Sequence, residues 1–156
     1  MHVVVDVDAR RVHVWRHGKR VATHGVAVGT AQWPTRRGEW QLVQVIWNPE
    51  WNPPRESWAR ARHARRPGDP ANPLGRVQLI YDPPRSIHGT TEPWTIGTAA
   101  SHGSIRVTNA VGVKLGRRVM EAAGAKRSDA WYARVQAERG TKVIVDLPHP
   151  VPITVR

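Results

Sequence analysis

Apolar residues alternate with polar ones in short runs near the start of the chain, from Val3 to Val7 and from Val12 to Trp15. This is the period-two pattern of strands that bury one face. Asp8-Ala9-Arg10-Arg11 joins the two runs as a polar turn, and His17-Gly18-Lys19 leads into a third run from Val21 to Val28, so the opening predicts an antiparallel meander. Gly38 to Trp47 and Leu74 to Tyr81, rich in Val, Ile and Trp, predict two further strands. The insert between them is dense in Pro, Asn and Arg and is not expected to be regular.

The period then changes. Val111, Leu115, Val119 and Ala122 recur at helical spacing behind a Thr108-Asn109 start, and Gly124 is a natural stop. A second short helix is predicted from Ser128 to about Glu138. Thr141 to Leu147 and Ile153 to Val155 return to strand, with Pro148, Pro150 and Pro152 placing any pairing near the end at a sheet edge. The sum is a mainly β chain with one main helix and a second, short one. Its 156 residues fit one domain, so residues 1–156 are expected to form a single unit, with 126–156 as a tail of unassigned role. No apolar run reaches the roughly 18 residues of a membrane span, so no transmembrane segment is expected. The chain opens on Val3-Val4-Val5 rather than on a basic stretch leading into an apolar one, so no signal peptide is expected within it.

Charge narrows the partners. Lys and Arg number 24 against 12 Asp and Glu, for a net charge of +12, which favours an anionic partner. The basic residues are scattered, and no zinc finger, RNA-recognition aromatic pair or basic zipper is present, so nucleic acid is not the expected one. Arg60, Arg62, Arg65 and Arg66 form the densest cluster, read either as a solvated loop or as an attractor for an anionic polymer. With 0 cysteines the chain has no disulfide and no thiolate metal ligand. Nothing in the pattern sets an oligomeric state.

The chemistry is concentrated between Ile87 and Asn109. His88-Gly89 closes one strand, and Ser101-His102-Gly103-Ser104-Ile105-Arg106 follows at a fixed distance. Acyl transfer needs a nucleophile, a base, a group that orients the base, and donors for the oxyanion. Gly103 permits a tight turn before a nucleophile at Ser104 and lets backbone amides approach a carbonyl. A metal site is not expected, because His88 and His102 lack a nearby carboxylate to complete a ligand set, and no cofactor is expected.

This segment resembles the signature of the L,D-transpeptidase (YkuD-type) catalytic domain, with Ser104 standing where that family keeps a nucleophilic cysteine. Further likeness lies in Gly29-Thr30, Pro34-Thr35 and Gly38-Glu39-Trp40, with Arg36 in place of a usual proline. It continues in Trp47-Asn48-Pro49, Trp51-Asn52-Pro53-Pro54 and Asn72-Pro73-Leu74-Gly75, so that it spans about Val3 to Val145. The resemblance implies a YkuD-type β-sandwich. It also implies His88 as the base, oriented by the Gly89 carbonyl, and Ser104 at the nucleophile position. His102 and the amides of Gly103 and Ser104 are implied to bind substrate or oxyanion, with Ser101 and Arg106 supporting the site or a substrate carboxylate. The implied partners are the tetrapeptide stems and glycan of peptidoglycan, in the cell envelope. Trp47, Trp51, Trp58 and Trp94 are read either as roofing the cleft and stacking on sugars or as packing a proline-rich flap.

Serine changes the chemistry. A thiol ionises near neutral pH beside an imidazolium, whereas serine must lose its proton during attack and needs a well-aligned base. Ser104 is consistent with an engineered replacement, with a natural serine lineage, or with a domain that has lost its chemistry and kept its groove. Two functions are therefore open: a wall-modifying acyltransferase, weak or inactive as written, and a non-catalytic peptidoglycan-binding module.

Overall fold

The computed structural model describes residues 1–156. Ten strands and two helices follow one another along the chain. The strands are β1 (His2–Asp6), β2 (Arg11–Arg16), β3 (Lys19–Gly25), β4 (Val28–Gly29), β5 (Gly38–Trp47), β6 (Val77–Asp82), β7 (Arg85–His88), β8 (Ala99–Ser101), β9 (Ile105–Arg106) and β10 (Val143–Val155), and the helices are α1 (Asn109–Ala122) and α2 (Asp129–Ala137). Eight strands form one mixed sheet in the order β3-β2-β1-β10-β5-β6-β7-β9, and β4 pairs with β8 in a second, small sheet. The fold is thus mainly β with a long and a short helix, as the patterning predicts. No helix is long and apolar enough to cross a membrane.

The meander forms because its alternation is strict where it matters: Val3 and Val5 of β1 and Val12 and Val14 of β2 are at most 1% exposed, while their neighbours face outward. They join a core of 27 buried residues that also takes in Leu42 and Val45 of β5, Leu79 of β6, Ile87 of β7 and Leu115 and Val119 of α1. Thr108 caps α1 by accepting from the Val111 amide at 3.2 Å, and Ser128 caps α2 by accepting from Trp131 at 3.1 Å, each satisfying a donor that a helix start leaves open. Gly124 ends α1 with φ +78°, a conformation that costs glycine nothing.

One expectation is reversed. β10 is an interior strand, pairing parallel with β1 and antiparallel with β5. Pro148 and Pro150 are accommodated because the pairing with β5 is interrupted between Asp146 and Val151, where no ladder bond is required, while Pro152 stays in register opposite Gln41. The chain end therefore completes the middle of the sheet. The insert between β5 and β6 is irregular as expected, holding a single 3-10 turn at Ser57–Ala59 and one bridge between Trp51 and Arg65.

Ile153 (1% exposed) and Ile144 (50% exposed) lie on the same strand. Replacing Ile153 with Ala is expected to cost about 2–5 kcal/mol through lost burial and an unfilled cavity, and Ile144→Ala less than about 1 kcal/mol. Urea unfolding of the two variants measures the difference; similar costs would contradict the burial of the Ile153 face of β10.

Candidate active site

β7 and β9 run parallel at the end of the large sheet, with Ile87 opposite Ile105 and His88 opposite Arg106. Ile87 and Ile105 are fully buried in the core. Side chains alternate across a sheet, so Ser86, His88, Ser104 and Arg106 belong to the opposite side. There a crevice of about 580 Å³ opens beneath the insert, lined among others by Trp51, Trp58, Arg62, Arg85, His88, Ser101, His102, Ser104 and Arg106. A backbone clamp holds β9 from its other edge, where Ala27 and Arg106 exchange two bonds of 2.9 Å.

His88 is 6% exposed, and its Nδ1 lies 2.6 Å from the Gly89 carbonyl oxygen. A carbonyl only accepts, so Nδ1 carries the proton and the lone pair resides on Nε2. Burial pushes the imidazole pKa down to about 4; the Gly89 bond opposes that shift and the Arg106 charge adds to it. At neutral pH the ring is therefore uncharged, in the state a general base requires.

Gly89 has to be glycine for a packing reason. A Cβ there would fall 2.2 Å from Asn109 Oδ1, and one on Gly75 would fall 2.1 Å from the same atom. The Asn109 side chain is wedged between the two glycines, accepting from the Arg76 amide at 3.1 Å and donating to the Thr90 carbonyl at 3.2 Å. The first residue of α1 thereby locks the end of β7 and the exit of the insert. Sequence reading found Asn109 only as a helix start; the close glycine approach that gives it a second task exists only in three dimensions.

The serine loop is bound tightly to itself. Ser101 Oγ donates to the Ser104 carbonyl at 2.5 Å and accepts from the Gly103 amide at 3.2 Å, so Ser101 organises the turn. The Gly103 amide is thus already engaged, while the Ser104 amide has no partner within the chain and is free to donate. Ser104 Oγ accepts from the Ser86 amide at 3.2 Å and makes no hydrogen bond to His88. The two side chains share the crevice on neighbouring strands but are offset along them, so bonding requires them to lean together across one diagonal.

His102 lies flat against Trp58, ring centroids 3.8 Å apart and planes 9° from parallel. Burial, with Arg106 and Arg62 next, holds its pKa below the ordinary value. Arg106 is committed to Glu92 at 2.8 Å. The tryptophans divide. Trp47 is 1% exposed and packs with Trp131 and Tyr132 in the core, so it cannot meet a substrate. Trp94, expected near the substrate, is 74% exposed on a 3-10 turn and does not line the crevice. Trp51 and Trp58 do.

The protein-family model of the L,D-transpeptidase catalytic domain, YkuD, matches residues 1–145. The chain belongs to this family. It is 29% identical over 108 residues to the YkuD protein of Bacillus licheniformis, across 69% of this chain and 53% of that one. An L,D-transpeptidase from Mycobacterium smegmatis has the same fold with a TM-score of 0.61 at 15% identity, covering 99% of this chain and 58% of the other. An L,D-transpeptidase solved as its avibactam carbamoyl enzyme superimposes with a TM-score of 0.65 at 15% identity, covering 99% and 48%. The chain therefore spans about half the length of these relatives. The family acts on peptidoglycan, and this L,D-transpeptidase domain has no cysteine anywhere.

Two outcomes follow for this domain. Between the ordinary histidine value of 6.5 and about 4, an unfolded chain binds a proton at His88 that the folded chain refuses, so stability falls as pH drops through that window and is unaffected above it. The full loss is about 3 kcal/mol. Denaturant unfolding at pH 4 and pH 7 should show a smaller pH dependence for His88→Gln than for the unaltered chain. Gly89→Ala, driven into Asn109, is expected to destabilise by more than about 3 kcal/mol, with partial relief when Asn109→Ala is added; equal losses with and without that second change would refute the wedge.

Proposed function

We propose that residues 1–156 work as one L,D-transpeptidase-type acyltransfer domain acting on the tetrapeptide stems of peptidoglycan in the cell envelope, with Ser104 in the nucleophile role and a low turnover because of it. The observation that carries this reading is the 2.6 Å bond that ties His88 Nδ1 to Gly89 and leaves Nε2 as the base in the crevice that Ser104 also lines. In the reaction, Ser104 Oγ attacks the carbonyl of the third stem residue and its proton passes to His88 Nε2. The developing oxyanion is met by the Ser104 amide. The bond to D-alanine then breaks, and His88 returns the proton to the departing amine, leaving an ester on Ser104. The side-chain amine of a second stem attacks that ester, its proton passing through His88 back to Ser104 Oγ, and a 3→3 crosslink results.

Low turnover has two physical sources. Serine is not ionised before attack, and an imidazole held near pKa 4 is a weak acceptor for an alcohol proton. A thiolate needs neither strong base nor close alignment. The missing bond between Ser104 and His88, with the hydroxyl accepting from Ser86 instead, also supports a second reading, a peptidoglycan-binding module that performs no chemistry on the same groove.

Intact-mass analysis after exposure to muropeptides or a reactive β-lactam separates the two. The acyltransferase reading expects a slow covalent adduct on Ser104 and one formed at least about a hundredfold faster on Ser104→Cys, since a small misplacement costs that much. Retention on sacculi with no adduct on either form would establish the binding module instead.

A further inference from the structure

The ion pairing of the crevice leaves a specific remainder. Its carboxylates are all engaged: Glu50 pairs with Lys142, Glu56 accepts from the Trp58 indole at 2.7 Å, and Glu92 holds Arg106 at 2.8 Å. Arg65 pairs with Asp69 at 3.7 Å. Arg62 and Arg85 also line the crevice, and neither side chain forms an ion pair or a hydrogen bond.

Arg85 is the more telling of the two. Its Nε is enclosed by protein yet has no hydrogen-bond partner, its terminal nitrogens are equally unbonded, and the residue lines the crevice. The side chain lies over the serine turn, since a Cβ built on Gly103 would stand 3.1 Å from Nε. Asp82, its register partner on β6, approaches Arg36 at 3.9 Å and does not pair with Arg85. A guanidinium fixed in place, with an enclosed donor unmet, is costly in an empty site. Its planar fork matches a carboxylate.

We propose that Arg85 receives the terminal carboxylate of the acyl donor, with Arg62 approaching from the insert. This rests on the acyltransfer reading above and adds the residue that selects the donor. Position supplies the argument. Arg85 lies beside Gly103, one residue from the attacking oxygen, and a chain extends about 3.5 Å per residue. A carboxylate ending the residue whose amine departs lies that far beyond the attacked carbonyl. Arg106 cannot take this role without giving up Glu92. A donor extended by a further residue carries its carboxylate past the guanidinium, so Arg85 measures where the stem ends.

The test uses equilibrium binding to the chain as it stands, because acylation of Ser104 is slow and the complex stays non-covalent over the time of a titration. An N-acetylated tetrapeptide stem ending in a free carboxylate is titrated calorimetrically beside the same peptide with only that terminus amidated. The unaltered chain is expected to bind the acid about ten- to a hundredfold more tightly, with the advantage shrinking in salt. Arg85→Gln is expected to reduce the ratio to about twofold or less. Arg85→Lys, which keeps the charge and loses the fork, is expected to fall between, and it decides the matter if the Gln variant does not fold. Equal binding of acid and amide by the unaltered chain overturns the role of Arg85 while leaving stem binding intact, and so does a ratio undiminished in both variants. Failure to bind either peptide overturns the acyltransfer reading and this inference together.

Discussion

One hydrogen bond, from Nδ1 of His88 to the carbonyl of the next residue at 2.6 Å, determines what the crevice can do. It assigns the tautomer and leaves Nε2 as the basic nitrogen, while burial, against the pull of that same bond, keeps the imidazole neutral. The bond forms because the chain at residue 89 lies flat against the start of α1, close enough that Asn109 Oδ1 occupies the space a Cβ would need. A capped helix, two glycines and a strand end thus converge on the orientation of one ring. The parallel pairing of β7 with β9 does the rest, placing Ser104 on the same side of the sheet as that ring.

The nucleophile fits this frame less well than the base does. A site that lowers the histidine pKa by burial favours a reagent that ionises on its own, and serine does not. Ser104 takes a hydrogen bond from Ser86, a stable arrangement for an alcohol and an unproductive one for attack. Above it the insert closes over the loop through the Trp58–His102 stack, so His102 is held as part of a cover as well as lining the crevice. Charge is used selectively: of the four arginines that line the crevice, Arg65 and Arg106 are neutralised by neighbouring carboxylates, and Arg62 and Arg85 are not.

Much of the fold was legible in the chain because its signals are local. The period-two runs around Val3 and Val12, the caps at Thr108 and Ser128, and the stop at Gly124 each act within a few residues, and each appears where expected. The interior place of β10 was not legible, since Pro148 and Pro150 are harmless once the ladder skips between Asp146 and Val151, and Pro152 is tolerated in register opposite Gln41. In the site, motif and spacing marked His88, Gly89, Ser101, His102, Gly103, Ser104 and Arg106, all within the β7–β9 region. Trp94, marked with them, lies outside the crevice, because an aromatic near a motif in sequence carries no direction, and the motifs passed over Arg85 and Asn109, whose contacts run across distant segments.

Nitrogen NMR of the His88 ring tests this account most directly, because the two ring nitrogens report tautomer and charge separately. The account predicts a neutral imidazole with the proton on Nδ1 and an unprotonated Nε2 from pH 5 to pH 8, with protonation only near pH 4. An imidazolium at pH 7, or a neutral ring carrying its proton on Nε2, would contradict it.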